Sequence, residues 1–220
     1  MNDCACEEPH DQRTVVLTGG PGAGKTAVLE LLRRCCCRHL VVLPEAAGVV
    51  FGGGFPRGTL AYQRRAAQRA IFHVQRELES LVPPEAAILL CDRGTIDGAA
   101  YWPGPESLFM AVGTTREAEL ARYSAVIHLR TPSVGYDHRN PLRIETAAEA
   151  ARIDELIERA WDGHPRRFFV EPEPDFFVKA RRALALLRDE LPPCCRRHVA
   201  PALEEPVQSH PARSERPPVR

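Results

Sequence analysis

The sequence predicts one α/β domain with a buried parallel sheet, built around a phosphate-binding loop. Three observations carry that prediction. Gly19-Gly20-Pro21-Gly22-Ala23-Gly24-Lys25-Thr26 fits G-x-x-x-x-G-K-[ST] and sits between a short apolar run at 13–18 and a helical stretch with an apolar stripe beginning at Thr26. Residues 86–92 are apolar up to a terminal Asp92, the pattern of a strand covered on both faces. Further short strand-like runs at 40–43, 125–129 and 166–170 alternate with helical segments.

Composition bounds the rest. With 220 residues and 44% hydrophobic content, one α/β domain plus a tail is the simplest organisation. Twenty-nine basic and 29 acidic residues leave no net charge to draw nucleic acid or an acidic membrane surface. No run is long and apolar enough to span a bilayer, and the acidic start Met1-Asn2-Asp3-Cys4 has no secretory core, so a cytoplasmic protein is expected. Cys4, Cys6, Cys35, Cys36, Cys37, Cys91, Cys194 and Cys195 do not read as a secreted disulfide framework, and free thiols are expected. Zinc trios of Cys4, Cys6 and His10, or of Cys194, Cys195 and His198, are conceivable, but neither has the paired C-x-x-C spacing of a structural site.

Along the chain, residues 1–12 are polar and read as a disordered N-terminus, 13–191 as the domain, and 192–220 as a Pro/Arg-rich disordered tail or a peptide ligand for a protein partner. In the loop, backbone N–H groups of Gly19, Gly20, Pro21-flanking positions, Gly22, Ala23 and Gly24 form an anion nest, and the helix N-terminus adds its partial charge. Lys25 reaches the β- and γ-phosphates, and the Thr26 hydroxyl sits on Mg²⁺. Lys25 and Lys179 are the only lysines in an otherwise Arg-based chain, which suggests a role for Lys25 that Arg does not fill. The second strand, Leu40-Val41-Val42-Leu43, stops at Pro44. Glu45 then stands at its carboxyl end, where ligands bind in open α/β sheets, as a substrate ligand or base; a solvent-facing glutamate opening a helix fits the spacing equally.

Residues 52–58 form a glycine-rich loop beside the substrate mouth, and 59–81 a long helix rich in Gln and Arg, of which one or two line a pocket. The strand at 86–92 delivers Asp92, the carboxylate that orders Mg²⁺ or its water, with Arg93 beside it to clamp a phosphate or carboxylate; a salt pair at a turn is the plainer alternative. Thr114-Thr115-Arg116-Glu117 and Thr146-Ala147-Ala148-Glu149 have capping-box form. After the fourth strand, the polar segment 136–145 carries Arg139 and Arg143, which read either as lid arginines that close over a transferring phosphoryl or as an exposed charged loop.

Leu17-Thr18-Gly19-Gly20-Pro21-Gly22-Ala23-Gly24-Lys25-Thr26, Leu43-Pro44-Glu45-Ala46-Ala47, Cys91-Asp92-Arg93-Gly94 and the stretch from Asn140 to Glu145 together resemble the NadR-type AAA domain family. These are P-loop NTPases related to ribosylnicotinamide kinase and to a eukaryotic trafficking protein. The likeness covers roughly 13–190; the Pro-Glu-Ala-Ala and Asp-Arg-Gly elements are its more discriminating part. It implies a P-loop NTPase three-layer sandwich with a five-stranded parallel sheet ordered 2-3-1-4-5, as in nucleoside kinases. It also implies that Glu45, Asp92 and Arg93 lie near the phosphate-accepting hydroxyl, with Arg139 and Arg143 in a lid. The adenylyltransferase and DNA-binding parts of full-length NadR proteins are not seen, so a nicotinamide substrate is not implied.

Two functions are expected to compete. The first is a small-molecule, nucleoside-like kinase using ATP and Mg²⁺, with Lys25, Glu45, Asp92, Arg93, Arg139 and Arg143 as catalytic groups and Thr26 and Asp92 at the metal. The second is an ATP- or GTP-dependent switch acting through a partner; the Asn-Lys-x-Asp element that reads guanine is not found. A remodelling motor is disfavoured by the short chain and by the lack of an Asp-Glu strand end.

Overall fold

A computed structural model describes residues 4–35, 37–132 and 146–204. Arg139 and Arg143 therefore lie outside the described residues, as do 205–220 of the expected tail. In chain order the elements are β1 (Arg13–Thr18), α1 (Lys25–Cys35), β2 (Leu40–Leu43), α2 (Ala46–Gly52), α3 (Ala61–Ser80) and β3 (Ile88–Asp92). A 3-10 helix (Thr95–Tyr101) and the short α4 (Leu108–Ala111) and α5 (Arg116–Leu120) come next. β4 (Ala125–Leu129), α6 (Ala147–Ala160), β5 (Arg167–Val170), α7 (Phe176–Glu190) and α8 (Pro193–Glu204) complete the fold.

The five strands form one parallel sheet in the order β2-β3-β1-β4-β5, the expected 2-3-1-4-5. The period of two divides its side chains between two cores. Val15 and Leu17 of β1, Ile88 and Leu90 of β3, and Ala125, Ile127 and Leu129 of β4 pack with α1, α7 and α8. Val16, Leu89, Cys91 and Val126 face the other way, onto Ile96, Phe109, Ile157 and Trp161. Covering both faces is why β3 reads as apolar up to its terminal Asp92 and β4 as apolar but for His128, which is itself buried. Asp92 shares the parity of Leu90 and so leaves its strand on the face of α1, which is the phosphate-loop helix.

Helix ends follow local chemistry. The Thr146 hydroxyl accepts from the Glu149 N–H at 3.2 Å while the Thr146 N–H donates to the Glu149 carboxylate at 2.8 Å, a complete capping box. The other expected box does not form; Thr115 is the N-cap and accepts from the Ala118 N–H, and alanine at that third position has no side chain to bond back. Thr95–Tyr101 is a 3-10 helix, and the Asp97 carboxylate folds back onto the Gly94 N–H at its start at 2.9 Å.

Two boundaries differ from expectation. Residues 193–204 form α8, and Cys195 and Val199, four apart on one face, are 2% and 0% exposed in the core under α1 and α7. At the other end Cys4 is also buried in that core. Residues on both sides of 13–191 therefore contribute to that core. Among the described residues no helix is long and apolar enough to cross a membrane.

Candidate active site

The glycine loop lies at the carboxyl end of β1. Gly19 adopts φ +133°, and a Cβ there would fall 2.0 Å from the Leu129 carbonyl oxygen of β4. Only a hydrogen fits. Gly19→Ala is expected to lose about 3–5 kcal/mol of unfolding free energy, read by urea denaturation, because both the backbone conformation and the contact with main chain are refused.

Lys25, the first residue of α1, is buried and its Nζ donates to the carbonyls of Gly19 at 2.8 Å and Gly20 at 3.1 Å. Burial pushes its pKa down to about 8, and the nearby Arg93 adds to this; Asp92, Glu45 and Asp97 partly offset both. Thr26 is exposed on the first turn of α1.

The loop is held from outside by three groups that sequence reasoning missed. Asp154 of α6 accepts from the Gly20 N–H at 2.6 Å and the Thr131 N–H at 3.2 Å, and lies 2.9 Å from Nε2 of His128, which is fully buried in β4. Thr131 Oγ1 donates to the Pro21 carbonyl at 3.3 Å. Lys179 of α7 donates to the carbonyls of Ala23 at 2.8 Å and Arg130 at 2.5 Å. The signals were present. Asp154 falls between Ala150 and Ile157 on the apolar stripe of α6, and Lys179 sits on that of α7 beside Ala180 and Ala183. A charged residue on a buried stripe needs a partner.

Next to the loop stands a charged cluster. Arg93 has φ +70°, in the left-handed region that a non-glycine residue seldom occupies, and its N–H donates to the Leu17 carbonyl at 3.1 Å. That turn points its guanidinium at Glu45 Oε1 (2.8 Å) and Asp97 Oδ1 (3.4 Å), with Tyr101 beneath it at 5.8 Å. Asp97 is saturated: it also accepts from the Thr18 hydroxyl, the Gly94 N–H and, at 3.1 Å, the Trp161 indole. Trp161 is fully buried and packs so closely that a Cβ at Gly94 would lie 3.0 Å from its ring.

Burial works to raise the Glu45 carboxyl, but Arg93 and Lys25 together hold its pKa below the ordinary value. For Arg93, burial opposes the charge, and the facing Tyr101, Glu45, Asp97 and Asp92 more than restore it. Asp92 behaves differently. Burial raises its pKa to about 6, which Lys25 counters and Glu45 reinforces. Its Oδ1 is buried without a hydrogen-bond partner, whereas Glu45 and Asp97 are both held by Arg93.

A cavity of about 440 Å³ opens beside this cluster, between α2, α3 and the 3-10 helix. Glu45, Arg93 and Asp97 line it, and Pro21 of the glycine loop forms part of its wall; Asp92 does not. Its floor is apolar, with Ala67, Ile71 and Phe72 of α3, while Arg57, Arg64 and Gln68 bring polar groups to it. Arg57 lies over the Phe51 ring at 4.2 Å, and Gly58 and Thr59 join the lining, so the segment after α2 does border the mouth. Arg65 and Arg76 are occupied elsewhere, with Glu106 and Glu119.

The arrangement is that of a P-loop protein with the kinase fold, and comparison bears this out. The chain belongs to an AAA domain family, a P-loop NTPase family whose model matches residues 14–179. Its fold is shared by thymidylate kinase from Candida albicans, at a TM-score of 0.55 and 12% identity over 82% of this chain and 94% of that one. It is shared equally by the deoxyadenosine kinase of M. mycoides, solved with bound dATP, at a TM-score of 0.55 and 14% identity over 80% and 99%. No curated protein matches the chain.

Proposed function

We propose that this protein is an ATP-dependent small-molecule kinase that transfers the γ-phosphoryl group to a hydroxyl of a nucleoside-like acceptor. The observation that carries the reading is the shared wall. Glu45 and Arg93 face a cavity that also touches the glycine loop through Pro21. An acceptor seated there has its hydroxyl beside both the charged cluster and the phosphates. The NadR-type likeness and the fold shared with the thymidylate and deoxyadenosine kinases point the same way.

The residues fit a nucleotide with its cation. The glycine loop offers an anion cradle at a helix N-terminus, and the buried Asp92 Oδ1, which has no hydrogen-bond partner among the described residues, supports a role toward a metal-bound water. Mg²⁺ supplies neutralisation of the phosphate charge when bound. The chain's own residues supply the rest. Lys25 lies along the β- and γ-phosphates. Glu45, ionised beside Arg93, orients the acceptor hydroxyl and takes its proton. Arg93 stays charged and faces the phosphoryl as charge shifts to its oxygens. Little base strength is demanded, because the transition state is loose and positioning dominates. Thr26 and Asp92 are assigned to the metal, and Arg139 and Arg143 keep the lid assignment as part of the same proposal.

ADP release measured against a panel of nucleosides, deoxynucleosides, ribosides and sugar alcohols tests this. One acceptor class should raise turnover above basal hydrolysis. Glu45→Gln should lower that turnover by about 10²–10⁴-fold while nucleotide binding persists. If ATP binds and no hydroxyl compound raises turnover, the kinase reading fails in favour of a nucleotide switch acting through a partner.

A further inference from the structure

Away from the candidate active site, on the core side of α1, α7 and α8, four ligand-type groups converge. Cys4 comes from the N-terminal segment, Cys37 and His39 from the link between α1 and β2, and Cys195 from the first turn of α8. All four residues are buried, at 4%, 4%, 3% and 2% exposure. The three Sγ atoms and one imidazole nitrogen all lie within 4.8 Å of one another. Cys37 Sγ is 3.3 Å from Cys195 Sγ and 3.7 Å from His39 Nδ1, and Cys195 Sγ is 3.4 Å from His39 Nδ1.

These separations have a simple meaning. A tetrahedral zinc ion with Zn–S near 2.3 Å and Zn–N near 2.0 Å places its ligand atoms about 3.5–3.8 Å apart. The sulfur pair is much too distant for a disulfide, whose S–S bond is about 2.05 Å. Thiols are weak hydrogen-bond donors and acceptors, so the Cys37 and Cys195 thiols that meet one imidazole nitrogen, with the Cys4 sulfur close by, gain little from each other. An apolar core does not need such convergence; a soft, borderline dication does.

We propose that Cys4, Cys37, His39 and Cys195 form a closed structural zinc site. The set is drawn from both cysteine groups that the sequence suggested, together with Cys37 and His39, which those trios left out. No local C-x-x-C pair is needed, because the ligands meet through the fold. Cys6, His10 and Cys194 form a neighbouring, half-buried trio; Cys194 Sγ lies 3.6 Å from Cys195 Sγ and 3.9 Å from His39 Nδ1, but it groups with Cys6 and His10 and is assigned outside the buried four. Zinc here would tie the N-terminal segment and α8 to the end of the phosphate-loop helix, since Cys37 lies two residues beyond the last residue of α1. Binding to the folded chain alone adds directly to its stability. Nothing in this assignment depends on the kinase reading.

Metal analysis of the full chain, purified in reductant without a polyhistidine tag, tests it. About one zinc per chain should survive desalting, with an absorption fine structure of three sulfurs near 2.3 Å and one nitrogen near 2.0 Å. Cys37→Ser and Cys195→Ser should lose most of that zinc, whereas Cys6→Ser and Cys194→Ser should keep it. Chelation should lower the melting temperature of the wild type and leave a folded, monodisperse Cys195→Ser variant unchanged. Wild-type protein free of zinc, a Cys37–Cys195 disulfide found by thiol titration, a different ligand count in the wild-type spectrum, or zinc lost equally in the Cys194→Ser variant would each overturn the proposal. The spectrum is read on the wild type, so the test stands even where a variant fails to fold.

Discussion

Lys25→Met should lower kcat/KM for acceptor phosphorylation by about 10²–10⁴-fold, or roughly 3–5 kcal/mol of transition-state stabilisation. The magnitude follows from where the ammonium sits. It is buried in the glycine loop, where it donates to the carbonyls of Gly19 and Gly20, and burial has brought its pKa down to about 8. A cation kept at such a cost in desolvation gains most when a phosphate chain brings negative charge beside it. The same pKa gives a second signature. Above about pH 8 much of the nucleotide-free Lys25 is neutral, and a bound phosphate chain favours its charged form. Nucleotide binding at alkaline pH should therefore take up a proton. Calorimetric titrations in two buffers of different ionisation enthalpy read that uptake; it should vanish in Lys25→Met. A variant that binds nucleotide and turns over like the wild type would remove Lys25 from the phosphate site.

How legible this site was in the sequence depends on how each residue is recruited. The glycine loop and Asp92-Arg93 announce themselves, because a nest at a helix N-terminus and a carboxylate at the end of an apolar strand need fixed local spacing. Both β3 and β4 were readable for a related reason: the two cores leave no polar position along most of their length. The sheet order rested on the family likeness, since apolar periodicity says nothing about which strands neighbour. Asp97, Asp154 and Lys179 were not found, because each acts across 79, 134 or 156 residues of sequence on a partner that only the fold brings near. The helix α8 was obscured by composition. Its buried face is made by Cys195 and Val199, and the intervening Arg196-Arg197-His198 carries no apolar rhythm.

The supports found only in the structure also explain why one carboxylate of the cluster differs from the other two. Glu45 and Asp97 both contact Arg93, and Asp97 receives further donors from the Thr18 hydroxyl, the Gly94 N–H and the Trp161 indole. Asp92 is buried on the α1 face with one oxygen unpartnered, and its pKa is raised from 3.8 to about 6. Its charge therefore opposes folding in the nucleotide-free protein. The sign is fixed by linkage: a carboxyl with its folded pKa above its unfolded one binds a proton on folding between those values. The stability it contributes is full below about pH 3.8 and is lost as pH rises through about 6. Asp92→Asn removes that ionisation. At pH 7.5 the variant should be more stable than wild type by about 1–3 kcal/mol, a rise of several degrees in melting temperature for a chain of this size. The gain should shrink steadily below pH 6 and vanish near pH 4. Its activity should move the opposite way, falling by about 10²–10³-fold with a weakened response to Mg²⁺. Thermal unfolding across pH 4–8, paired with Mg²⁺ titrations of turnover, reads both. Opposed effects on stability and catalysis mark a residue whose strain in the empty protein is relieved by the charge it awaits. Equal destabilisation at every pH would instead make Asp92 an ordinary support of the β3 turn.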